Sequence, residues 1–165
     1  MKRIDPFILG IVVFTLIALA GGTYFAFQAT GKPLELYSAS DTQRPRLEVS
    51  ASLIDLGQMK VEEIKNAEFI LKNIGEKTLQ INNISTSCNC TFVQVEIEGK
   101  KSPRFSMHES PSWTGEIEPG REAKIIVTYE PALMPVKGKV ERSAFMKTND
   151  PQNPDLSLKV SATVE

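Results

Sequence analysis

Two cysteines one residue apart, in the run Ser87-Cys88-Asn89-Cys90-Thr91, and a single histidine, His108, bound the redox and metal chemistry open to this 165-residue chain. Three chemistries fit that spacing. The pair can be inert, packing as small apolar residues or closing a local disulfide that pins a turn, and so small a loop removes little chain entropy. It can exchange with the thiols of a partner, because strained or exposed disulfides are the labile ones. Or the two thiolates can hold a soft ion such as Cu(I), with Met107 and His108 completing the ligand set. Structural zinc calls for more Cys and His than the chain offers.

Catalytic groupings are otherwise missing from the sequence. Nothing pairs a Ser or Cys nucleophile with an ordered histidine and acid, and no glycine-rich loop opens a helix after a strand. Glu62 and Glu63 are adjacent, so on a strand they face opposite ways. Glu116 and Glu118 can share a face, yet all four read as solvated edge charges rather than a glycosidase pair. The expectation is a non-enzyme without a cofactor.

A second functional reading attaches to the segment Glu98 to Trp113, which contains GKKSPRFSMHESPSW. A connection of about 15 residues is long for a compact domain and is often a binding element. Arg104, Phe105, Met107 and Trp113 are residue types enriched at contact surfaces. The alternative is that Phe105 and Trp113 fold back over an open end of the domain.

The elements that must carry these residues are strands. Leu156, Leu158, Val160, Ala162 and Val164 alternate with Ser157, Lys159, Ser161 and Thr163, the period of a strand with one face buried. Ala123, Ile125, Val127 and Tyr129 form a second such set, and Ala67, Phe69 and Leu71 a third. Weaker segments lie at Leu47 to Val49, Leu53 to Leu56, Thr78 to Ile84, Thr91 to Ile97 and Lys137 to Lys147. In the last of these the pattern slips, and a bulge near Glu141 to Ser143 is expected to put Phe145 in phase. Turn chemistry separates them at Asn73-Ile74-Gly75, Glu118-Pro119-Gly120 and Asn149-Asp150-Pro151. Seven or eight short strands at this spacing predict an all-β, antiparallel sandwich.

Ahead of the strands, Pro6 to Thr30 carries no charged side chain. About 25 helical residues cross a hydrocarbon core of roughly 30 Å, so 6–30 is expected to be a transmembrane anchor. Lys2 and Arg3 keep residues 1–5 cytoplasmic, residues 31–44 form a polar linker, and 45–165 is an extracytoplasmic domain, periplasmic or at the cell surface. The rival is a cleaved signal peptide ending near Ala18-Leu19-Ala20. Outside the anchor, removing Lys2, Arg3 and Asp5 from 19 basic and 20 acidic residues leaves 17 and 19. That balance argues against a nucleic-acid partner.

The run Pro45-Arg46-Leu47, Asp55-Leu56-Gly57, Phe69 to Gly75, Leu79-Gln80-Ile81, Ser87 to Thr91, Ile117 to Gly120 and Thr148 to Pro151 resembles a bacterial extracytoplasmic family, DUF1573, a domain of unknown function. That family looks like the immunoglobulin-like sandwiches of the major sperm protein and abnormal-spindle type. The likeness implies an immunoglobulin-like fold over Pro45 to Glu165, and it departs at Asn89, where the family commonly has glycine, and over the inserted Glu98 to Trp113. The expected function is a membrane-held protein-interaction or structural module with an envelope protein as partner. The alternatives are a thiol or Cu(I) factor acting through Cys88 and Cys90, and a mechanical spacer.

Overall fold

The computed structural model describes residues 6–29 and 33–165, with side chains given over 7–23 and from 33 onward. The chain divides into two units, 1–31 and 32–165. The first contains helix α1, Pro6–Ala29. Its two described hydroxyls are satisfied within the helix, Thr15 donating to the carbonyls of Ile11 and Val12, Thr23 to those of Leu19 and Ala20. Among the described residues no helix is long and apolar enough to cross a membrane. The anchor expected over 6–30 extends past Thr23 and takes in Thr30, which lies outside the described residues, as do 1–5.

The second unit is all β. Its strands are β1 Leu47–Val49, β2 Leu53–Met59, β3 Lys65–Asn73, β4 Leu79–Thr86, β5 Thr91–Ile97, β6 Lys100–Lys101, β7 Gly115–Ile117, β8 Glu122–Tyr129, β9 Gly138–Thr148 and β10 Asp155–Val164. They form two five-stranded sheets: sheet A in the order β1-β3-β8-β5-β6, and sheet B in the order β2-β10-β9-β4-β7. Ten strands replace the expected seven or eight, because β6 and β7 arise within and just after the inserted segment. The sandwich is also not wholly antiparallel. After Ser50 the chain leaves sheet A and crosses to sheet B, where β2 runs parallel to β10.

Alternation is what builds the core. Ala67, Phe69 and Leu71 of β3, Ile125 and Val127 of β8, and Leu158 and Val160 of β10 are all buried in one apolar cluster between the sheets. Each fully buried large side chain contributes roughly 1.5–3 kcal/mol. The bulge expected at Glu141 to Ser143 is absent, since β9 pairs with β10 without a break from Gly138 to Lys147. Ala144 and Met146 take the core positions while Phe145 points outward. The irregularity lies on β4 instead, between Asn82 and Ser85, where Asn83 takes a positive φ of 49°.

Turn motifs tie one end of the sandwich together. Asn73 uses its whole amide: Nδ2 donates to the carbonyls of Lys77 and Ile117, and Oδ1 accepts from the N–H groups of Arg46 and Gly75. A Cβ on Gly75 would sit 2.3 Å from the Arg44 carbonyl oxygen, so only glycine lets these two chain segments meet. Asp150 accepts from the Leu47 and Gln152 N–H groups, Asn153 Nδ2 and Arg44 Nη1. Arg44 is therefore part of the packed domain. The segment before it is also tied down, the Glu35 N–H donating to Gln80 Oε1 at 2.7 Å.

Candidate functional site

Three regions of the sandwich bear on function: the cysteine end, the margin covered by the inserted segment, and the opposite margin. The cysteine end lies far from the Asn73 corner, because Tyr129, at the close of β8, pairs with Lys65 and Thr91, the opening residues of β3 and β5. Eight strand steps separate Lys65 from Asn73, about 26 Å. Cys88 and Cys90 are joined in a disulfide within the loop between β4 and β5. They belong to a second small core with Met59, Tyr129, Ala162 and Val164.

Local hydrogen bonds hold that loop. Thr86 Oγ1 donates to the carbonyl of Cys88 or Thr91, 2.9 and 3.0 Å away. The Cys90 N–H donates to Cys88 Sγ at 3.3 Å, and Thr91 Oγ1 is 3.2 Å from the same sulfur. Ser87 extends the pairing to β9 through Ser143. On the other sulfur, Arg142 Nε donates to Cys90 Sγ at 3.3 Å, with the guanidinium carbon 5.7 Å from the centre of the Tyr129 ring. Cys88 is 8% exposed and Cys90 is fully buried. With the bond closed, the ligand set Cys88, Cys90, Met107 and His108 lacks its two thiolates. Among the described residues no group of three or more His, Cys, Asp or Glu side chains could hold a metal.

The inserted segment closes one margin of the sandwich. Glu98 and Gly99, at φ 51° and 77°, make the two-residue turn that returns β6 onto β5, both central residues left-handed as such a hairpin requires. Ser102 donates its N–H to the Val95 carbonyl, and Phe105 exchanges both backbone bonds with Val93. Ser110 Oγ then reaches across to the Ile84 carbonyl of sheet B at 2.7 Å. Phe105 is 1% exposed and lies 5.7 Å from the half-buried Trp113 ring. Both pack against the core, so of the four residues read as a contact surface these two do not present one. Arg104 lies flat on sheet A, 3.5 Å over the Phe92 ring and ion-paired with Glu130. Met107 remains half exposed and His108 exposed.

The opposite margin is open. β1 covers β3 only over Leu71 to Asn73, with Ser50 continuing onto Ile70. Asn73 directs its backbone to β8, and alternation then turns the backbone groups of Asn66 and Glu68 outward. No strand among the described residues pairs with them there. The adjoining edge of β2 is guarded: Lys65 Nζ donates to the carbonyls of Leu56 and Gln58 at 2.9 and 2.7 Å. A charged side chain on an edge is a common defence against unwanted strand pairing. Beside the gap, Ile64, Asn66, Phe92, Arg104, Thr128 and Glu130 line a surface hollow of about 290 Å³.

Sequence reasoning passed over Arg142. Its signal was its register: Arg142 shares the phase of Val140, Ala144 and Met146, the core-facing positions of β9.

Two facing five-stranded sheets, with the chain crossing from one to the other between β1 and β2, have the architecture of an immunoglobulin-like module. The chain belongs to the HYDIN/CFA65/VesB-like Ig-like domain family, whose model matches residues 45–163. The match establishes the immunoglobulin-like class and does not extend to DUF1573 itself. Among solved structures, a protein of unknown function from Porphyromonas gingivalis W83 is 22% identical with a TM-score of 0.55, over 74% of this chain and 48% of that one. This chain thus spans about half its length. A family 123 glycoside hydrolase from Clostridium perfringens is 9% identical with a TM-score of 0.51, over 73% of this chain and 27% of that one. PapD-like domain 7 of human CEP192 is 16% identical with a TM-score of 0.47, over 79% and 98%. At these identities the likeness is one of fold. No curated protein matches the chain.

Proposed function

We propose that this chain is a membrane-held, non-catalytic immunoglobulin-like module that binds another envelope protein by accepting a short extended segment at the gap beside Asn66 to Glu68. The observation that carries the reading is the asymmetry of the two margins. One is closed backbone group by backbone group through the inserted segment; on the other, β1 departs early and leaves outward-facing amides and carbonyls on β3. An extended partner would satisfy those groups as an added strand.

The support for the membrane part of the proposal comes from the sequence: the run Pro6 to Thr30 is uncharged, about 25 helical residues suffice for a hydrocarbon core of roughly 30 Å, and Lys2 and Arg3 favour a cytoplasmic N-terminus. The domain then works outside the cytoplasm, and the lipid bilayer is its first partner.

Placing a photoreactive side chain at Glu68 or at Met107 of the full chain, in its native membrane, tests the binding surface. Adducts of defined mass from position 68 and none from 107 are expected. Adducts from 107 alone would replace the gap with the inserted loop, and none from either site would leave the mechanical spacer.

A further inference from the structure

The geometry points to a second activity at the far end of the sandwich: the Cys88–Cys90 disulfide is an asymmetric thiol–disulfide exchange site, with Cys88 as the attacked sulfur and Cys90 as the leaving sulfur held by Arg142. The argument starts from the register of β9. Arg142 occupies a core-facing phase, yet it is charged, and its Nε is directed at Cys90 Sγ, 3.3 Å away. A disulfide sulfur is neutral and a weak acceptor, so a guanidinium gains little from it. A Cys90 thiolate is an anion, and the same contact becomes an ion pair between a fully buried sulfur and a partly buried guanidinium. The site is therefore better matched to the opened state than to the closed one.

Burial assigns the two roles. Cys90 is fully enclosed by Tyr129, Met59, Ala162 and Val164, so an incoming nucleophile cannot reach it. Cys88 has the residual exposure, 8%, and is flanked by the exposed Ser87 and Asn89. A thiolate of a partner protein that carries a dithiol attacks Cys88 Sγ, a new S–S bond forms, and the Cys88–Cys90 bond breaks. Its electron pair leaves on Cys90 Sγ, where Arg142 balances the charge. The partner's second thiolate then attacks its own sulfur in the mixed disulfide and expels the Cys88 thiolate. The partner dithiol ends as a disulfide, and this pair ends reduced by the same two electrons. A lower leaving-thiol pKa speeds the first step.

This activity is independent of strand addition, and its test does not touch the β3 margin. The oxidised full chain, in detergent, is exposed briefly to glutathione, quenched in acid and mapped by mass spectrometry. Glutathione is expected on Cys88, with Cys90 free. In parallel, Arg142→Met is expected to slow reduction by dithiothreitol at pH 7 about threefold or more, with Arg142→Lys falling between the two. Glutathione found on Cys90, a disulfide that does not react within hours, or equal reduction rates for Arg142→Met and the natural chain would each overturn the assignment. Adduct mapping on the natural chain decides the point even where a substitution at Arg142 impairs folding.

Discussion

Arg44 Nη1 lies 3.0 Å from Asp150 Oδ1 with both side chains buried, joining residues 106 apart in sequence across the corner where the chain enters the sandwich. Burial alone would raise the Asp150 pKa. Hydrogen bonds from the Leu47 N–H, Asn153 and the Gln152 N–H, together with the Arg44 charge, outweigh it and hold the carboxyl below its ordinary 3.8. A depressed folded pKa contributes stability that is fully present above the unfolded value and fades as pH falls through the folded one.

Asp150→Asn therefore has two expected signatures. At pH 7 it lowers the unfolding free energy by about 3 kcal/mol, since Arg44 is left buried without its counter-charge. Between pH 5 and pH 3 it loses less further stability than the natural chain does. Urea denaturation across that range reads both, and parallel pH curves for the two proteins would show that Asp150 is not the group concerned.

At Gly75 the limit is space. A methyl group there meets the Arg44 carbonyl at 2.3 Å and the Arg46 nitrogen at 2.5 Å, backbone atoms that no side-chain rotation can move aside. Gly75→Ala is expected to cost about 3 kcal/mol and to release protection of the Leu47 amide in hydrogen exchange. An unchanged denaturation midpoint would mean that this corner yields easily.

Two neighbours in the inserted segment should behave oppositely. Phe105→Ala removes a buried ring and is expected to cost about 3–5 kcal/mol. Met107→Ala, at a position 47% exposed, should stay within about 0.5 kcal/mol. Similar losses for both would contradict the division of this segment into a core clamp and an exposed tip.

Reducing the disulfide should disturb stability only modestly. The closed loop contains three residues, for which chain entropy gives about 1.5 kcal/mol. A larger loss, or unfolding on reduction, would make the bond a structural requirement and would also weaken its role in exchange.

Much of this architecture was legible because one-sided burial writes itself into alternation. In β3, β8 and β10 the expected core residues are the buried ones, except that Leu156, at the start of β10, is only partly buried. The hairpin to β6 escaped notice because its turn is Glu98-Gly99, without the Asn or Asp that usually marks a left-handed first position. Phe145 misled for a different reason: a large aromatic invites a core assignment, yet the smaller Ala144 and Met146 fill that space. Around the cysteines, sequence located the pair but not its partner, since Arg142 is 52 residues from Cys90 and only folding brings them together. The open margin was illegible in principle, because an edge exists only once the order of strands is known.

The most direct test of the central claim is amide hydrogen exchange of the full chain with and without the protein captured by crosslinking from position 68. The account predicts that partner binding slows exchange at Asn66 and Glu68, whose outward amides would gain acceptors, while Ala67 and Phe69, already bonded within sheet A, change little. Slowing confined to residues 107–112, with Asn66 and Glu68 unaffected, would contradict it.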